Sequence, residues 1–166
     1  MPISGSVKLQ VALAQTKAFD LNVVDGAVNY LKNFTFSDGV GANQIDRLFH
    51  DSRTLGPSAT EDLDFAGTLT DVYGATFTIV KLRGLIIYAK PTNINNLRVI
   101  RPAANGLLIF AAASDEMPIH PGGIFVWLAP TSGIAVAAGT GDLLTITNGA
   151  AGSNVDYDVF ALGTSA

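Results

Sequence analysis

Few residues in this chain have the types and spacing that chemistry requires. His50, Asp51 and Ser52 stand in a row with the side chains of a hydrolytic triad. On a strand, however, consecutive side chains point to opposite faces, so His50 and Asp51 do not pair as base and orienting acid. The plain reading of that stretch is an exposed strand. The other histidine, His120, sits between Ile119 and Pro121 at a turn, and two scattered histidines without a cysteine make no zinc set. Asp62/Asp64 and Asp156/Asp158 are each spaced to share one face of a strand. Such pairs could hold calcium, or serve glycoside hydrolysis if they met at the needed separation. The same spacing describes a solvated strand face, which is the reading adopted. Gly139-Thr140-Gly141-Asp142 lacks the third glycine and the following helix of a dinucleotide site, and reads as a hairpin turn. No catalytic, cofactor-binding or metal-ligating residue is assigned, no cofactor is expected, and the chain is read as a non-enzyme.

Composition narrows the classes further. The 166 residues suffice for one domain with a real core. There is no cysteine, so disulfides and thiolate metal sites are excluded. Only 14% of residues are charged and 48% are hydrophobic, against a usual charged share of about 25%. A compact monomer this poor in charge covers its surface badly, which suggests burial against partner subunits. An Ala- and Gly-rich β protein is the simpler alternative. All ten Lys and Arg lie at or before Arg101, and beyond it only carboxylates carry charge. Arg47 and Arg53, Lys81 and Arg83, and Arg98 and Arg101 form pairs rather than a stripe, and the net charge is −4. A nucleic-acid partner is therefore not expected; such pairs suit an acidic protein surface. No secretory leader pattern is visible at Met1–Lys8, and the apolar run Leu82–Ala89 contains Arg83 and is too short to span a membrane. A soluble protein without a membrane partner is expected.

The elements that would position these residues read as strands. Val7, Leu9, Val11 and Leu13 alternate with Lys8, Gln10 and Ala12, and a turn is expected at Asp25-Gly26 before Val28–Phe36. Residues 44–55 and 59–66 read as strands, with Leu63 and Phe65 opposite Asp62 and Asp64. Ile86, Ile87 and Tyr88 look like a central strand, with Gly84 a bulge or a bend where another backbone comes close. A short helix is possible near 75–81. Further strands are expected at 97–100, 107–111, 124–128, 134–136, 142–147 and 155–162, separated by Gly, Pro and Asn turns. Ile124–Leu128, which holds Trp127, reads as a central strand buried on both faces. The fold class expected is all-β, a jelly-roll-like β-sandwich.

Several stretches also carry a resemblance. They are residues 39–78, beginning G-V-G-A-N-Q-I-D-R-L-F-H-D-S-R, then P-G-G-I-F-V-W-L-A-P from Pro121, G-T-G-D-L-L-T-I-T-N at 139–148, and V-D-Y-D-V-F-A-L-G-T-S-A at the end. These resemble small virion structural proteins of tailed bacteriophages, of the capsid decoration or cement kind, over about residues 35–166. The resemblance implies a β-rich protein, made in the host cytoplasm, that sits on the outer surface of an icosahedral head. It implies a homotrimer at local threefold axes that clamps the major capsid protein, and it transfers no catalytic residues. Residues 1–34 match least and are expected to be a strand or arm segment contributing to assembly, with 35–166 the β-sandwich domain. The uneven charge then suggests that the N-terminal part, with Lys8, Lys17 and Lys32, faces the shell. A tail, fibre or head-spike component is the alternative within the virion. A carbohydrate-binding β-sandwich is the alternative from another class, and would need exposed aromatics beside one of the Asp pairs.

Overall fold

The computed structural model describes residues 2–166, which form twelve strands and no helix. The first two, β1 (Gly5–Phe19) and β2 (Asn22–Asp38), make one long antiparallel hairpin that pairs along the whole of β1. At about 3.3 Å per residue its 15-residue strand is roughly 50 Å long. The turn is Asp20-Leu21, not the expected Asp25-Gly26, which lies inside β2 opposite Gln15 and Thr16. A turn at Asp25-Gly26 would set Gln15 against Phe36 and leave most of β1 unpaired. The observed register pairs all of it.

The short β3 (Gln44–Ile45) leads into the sandwich: β4 (Arg47–Leu55), β5 (Thr60–Asp64), β6 (Lys81–Ala89), β7 (Leu97–Ile100), β8 (Glu116–Ile119), β9 (Ile124–Leu128), β10 (Ile134–Ala135), β11 (Leu143–Asn148) and β12 (Val155–Thr164). One sheet runs β9-β6-β12-β4, with β10 on the same edge of β6 as β9; the other runs β5-β11-β7-β8. Counting the eight long sandwich strands along the chain and setting β10 aside, the first sheet holds the sixth, third, eighth and first. The second holds the second, seventh, fourth and fifth. Every pairing among them is antiparallel. This interleaving, in which the chain crosses between sheets at nearly every connection, is a jelly roll.

Alternation decides the core. Val155, Tyr157, Val159 and Ala161 of β12 point inward with Leu85, Ile87 and Ala89 of β6, and meet Leu144 and Ile146 of β11 and Leu97 and Val99 of β7. Two buried polar side chains, Asn148 and Arg83, are bonded to loop groups. The amide of Asn148 donates to the carbonyls of Gly56 (2.9 Å) and Ser153 (2.8 Å), and its oxygen accepts from Asn95 (3.0 Å). Arg83, 2% exposed, donates to the carbonyls of Thr131 (2.5 Å) and Gly41 (3.1 Å), tying two loops together beneath the hairpin.

Three local expectations need correction. Residues 75–80 are extended, not helical: Phe77 and Ile79 are buried while Thr76, Thr78 and Val80 are exposed, a period of two. Their amides bond to the carbonyls of Leu69 and Phe65. Residues 107–111 form no strand; Leu107 is a core residue on an irregular segment held by the Leu143 carbonyl. Finally, β9 is an edge strand with one exposed face. Phe125 and Trp127 pack on the core, but Ile124 is 58% and Val126 46% exposed.

Candidate assembly surface

The hairpin register sorts its side chains into two unlike faces. One carries Val7, Leu9, Val11 and Leu13 of β1 beside Phe34, Lys32, Tyr30 and Val28 of β2. Phe19 and Val24 continue this face to the tip. The other carries Ser6, Lys8, Gln10, Ala12, Ala14 and Thr16 beside Thr35, Asn33, Leu31, Asn29, Ala27 and Asp25. The ribbon is thus amphipathic, yet its apolar face stands open. Leu13 is 65%, Val28 56%, Tyr30 54% and Leu9 54% exposed. An isolated two-stranded ribbon is marginal in water, and its apolar face calls for a cover. The two cations on this face, Lys17 and Lys32, lie 4.9 and 5.9 Å from the ring centres of Phe19 and Phe34.

A second apolar surface adjoins the first. On the outer face of the β9-β6-β12-β4 sheet, Val126, Ile86, Phe160 and His50 form one row across the strands. Leu128, Gly84, Leu162 and Leu48 form the next. The pairing of β6 with β12 shifts register beside Gly84, in keeping with the bulge expected there, but a Cβ on Gly84 would stand 2.8 Å from Leu128 Cδ2, so what comes close is side chains and not another backbone. The two surfaces meet at the hairpin base, where Phe36, Ile45 and Leu162 are buried together beneath Val7, Phe34 and Leu48. A concave corner of about 230 Å³ opens there between Val7, Phe36, Phe160 and Leu162. Hairpin face and sheet face are therefore two walls of one apolar angle.

The residues singled out for chemistry are mostly satisfied by neighbours. His50 and Ser52 point outward from β4, whereas Asp51 pairs with Arg53 (3.0 Å). His50 stacks on Phe160 with ring centres 6.0 Å apart, and Ser52 donates to Asp158. Asp158 is also held by Lys90; these two hydrogen bonds, the Lys90 one first, keep its carboxyl below the usual range. Asp156 accepts from Thr54 (2.5 Å). Asp62 accepts from Thr145 (2.5 Å), and Asp64 from the amide of Ala66 (2.9 Å). The two Asp pairs lie on the outer faces of opposite sheets and do not converge. His120 is exposed, and its carbonyl closes the Pro121-Gly122 turn by accepting from Gly123 (2.8 Å), with Gly122 at φ 78°. In the 139–142 turn the amides of Thr140 and Gly141 bond back to the carbonyl of Ala137, and Gly139 donates to Asp142 (2.8 Å).

Several basic residues of the sandwich are paired within the chain, while Arg47 and Lys81 are exposed. Arg53 is clamped to Glu61 (2.5 Å), Arg98 pairs with Glu116, and Arg101 bonds the carbonyls of Phe110 and Ala111. Tyr157 donates to Glu61 (2.7 Å), and burial, reinforced by that bond, pushes its hydroxyl well above the ordinary tyrosine range. Among the described residues no cluster of three or more His, Cys, Asp or Glu could hold a metal, and no helix is long and apolar enough to cross a membrane.

The sheet half of this surface was hidden in the sequence. In β9 both faces are apolar, so alternation gave no sign that Ile124 and Val126 are exposed. Phe160, 42% exposed, likewise reads as core until the register puts it beside His50. Comparison with protein-family models, curated proteins and solved structures returns no match.

Proposed function

We propose that the chain is a structural virion protein, a decoration subunit that binds the major capsid protein lattice on the outside of a bacteriophage head and stabilises it. The observation that carries this reading is the long amphipathic hairpin whose apolar face stands open, continuous with a second apolar surface on the sandwich. A chain with 14% charged residues and two open apolar walls suits a subunit that lives among neighbours. The resemblance of residues 35–166 to decoration proteins supplies the setting: an icosahedral lattice on which many small contacts add through multivalency. The oligomer expected is a trimer, whose closed symmetry suits such a lattice. Every Lys and Arg of the chain lies at or before Arg101, and Lys8, Lys17 and Lys32 lie on the hairpin, so that element is the one proposed to face the shell.

Sedimentation tests the proposal. The purified chain is expected to pellet with expanded heads and to remain in the supernatant with free DNA. Failure to pellet with heads overturns it. Immunogold labelling of intact particles then separates a head position from a tail, fibre or spike position.

A further inference from the structure

We infer that the apolar face of the hairpin is covered by a second copy of this chain: the arm of one subunit lies across the outer face of the β9-β6-β12-β4 sheet of the next. The inference rests on reading the chain as an assembly subunit, and it names what covers the arm. Three observations lead to it.

First, one chain carries both halves of the contact. The arm offers Leu9, Val11, Leu13, Val28 and Tyr30; the sheet offers Ile124, Val126, Ile86 and Phe160. The arm cannot fold back on its own sheet, because β1 and β2 run unbroken away from the body past Val7 and Phe34. Second, the walls meet at an angle in each copy, so two such angles interlock, arm against sheet, without opening a new apolar surface. Third, the charges agree. Between Val7 and Phe19 the apolar face of the arm carries Lys17 and Lys32 and no carboxylate, Asp20 lying in the turn, Asp25 on the other face and Asp38 at the base. The polar end of the sheet face carries Asp156 and Asp158 against Lys90 alone. Opposed charges of this kind set register and suppress wrong partners.

The size is sufficient. A ribbon about 10 Å wide laid along about 30 Å of sheet covers roughly 300–400 Å² per contact, from strand spacing and rise. Each copy donates one arm and receives one, so it buries roughly 600–800 Å² in all, close to the roughly 800 Å² per partner of stable complexes. The exchange closes as a twofold pair or as a threefold ring, and the mass in solution reads which.

The chain has no cysteine, so introduced ones report cleanly. The double variant Leu13→Cys/Val126→Cys, oxidised without any capsid present, is expected to give covalent oligomers. The control Leu13→Cys/Thr145→Cys, with its second thiol on the opposite sheet, is expected to give far fewer. In light scattering the native chain is expected to be oligomeric, and Phe160→Asp to shift it to monomer with unchanged strand content by circular dichroism. A monomeric native chain, cross-links no stronger than in the control, or cross-links only between two copies of Leu13→Cys alone would each overturn arm exchange. Because no head is present, these outcomes are independent of whether the chain pellets with heads.

Discussion

Replacing Leu9, Leu13 and Val28 together with serine separates folding from assembly. All three are more than half exposed in the single chain. Full burial of a Leu or Val side chain is worth about 1.5–3 kcal/mol. Each therefore has about 1–1.5 kcal/mol still to gain when a partner covers it. Together they stand for about 3–4.5 kcal/mol per arm contact, or roughly 10²–10³ in affinity. The cost to the isolated fold is much smaller, because these residues touch the hairpin and not the sandwich core. The cross-strand pairs lost are Leu13–Val28 and Leu9–Lys32, of which only the first is apolar on both sides, worth about 0.2–1 kcal/mol. For a chain of this size about 1 kcal/mol corresponds to a melting shift of about 2–4 °C. The assays are sedimentation velocity across a concentration series and a thermal melt on the same sample. Assembly is expected to weaken at least a hundredfold while the melting temperature moves by less than about 4 °C. An unchanged assembly equilibrium, or a melting loss above 10 °C, would refute the reasoning, since the face would then serve nothing or serve the fold.

Three further outcomes follow from the interior and the charged surface. Asn148→Leu removes three hydrogen bonds, to the Gly56 and Ser153 carbonyls and from the Asn95 amide, each of which keeps a second partner, at about 0.5–1.5 kcal/mol per bond. A total loss of roughly 1.5–4.5 kcal/mol is expected to lower the melting temperature by about 3–18 °C, and a calorimetric loss below about 1 kcal/mol would contradict it. Asp158 titrates below its unfolded value because Lys90 and Ser52 bond its ionised form, so its contribution is present above pH about 4 and fades as pH falls through the folded value. Urea melts between pH 2 and 5 should show a shallower acid loss for Asp158→Asn than for the native chain; equal slopes would remove this residue from the account. Tyr157 behaves in the opposite sense: burial favours its neutral form, so the unfolded chain gives up the proton first once pH exceeds about 10. The native chain should lose stability above that pH and Tyr157→Phe should lose less, measured by denaturant midpoints at pH 9 and 11.

What the sequence showed and hid has physical reasons. The sandwich was legible where strands end in strong turn residues. Leu97–Ile100 and Ile124–Leu128 fall where expected, and Leu63 and Phe65 face the core opposite Asp62 and Asp64. Strand β8 was missed because Pro118 interrupts it, which an edge strand tolerates since one side makes no ladder bond. The hairpin turn was placed five residues late because Asp-Gly is a stronger local signal than Asp20-Leu21; pairing along the whole of β1 outweighs it. Residues 107–111 look like a strand because Leu107 must be apolar to fill the core, not because a ladder forms there. The alternation of Val7, Leu9, Val11 and Leu13 was visible, but not that its apolar side beyond Val7 meets no partner within the chain. Alternation reveals a face; only three-dimensional register shows whether anything covers it.

The central claim is that this chain stabilises a phage head by covering its own open apolar surfaces on the lattice. Heads assembled without the chain, heated with and without added purified protein and scored for DNA release, test it most directly. Native protein is expected to raise the release temperature, and the Leu9, Leu13 and Val28 triple serine variant to leave it unchanged. Native protein that binds no head, or binds without moving the release temperature, would contradict the account.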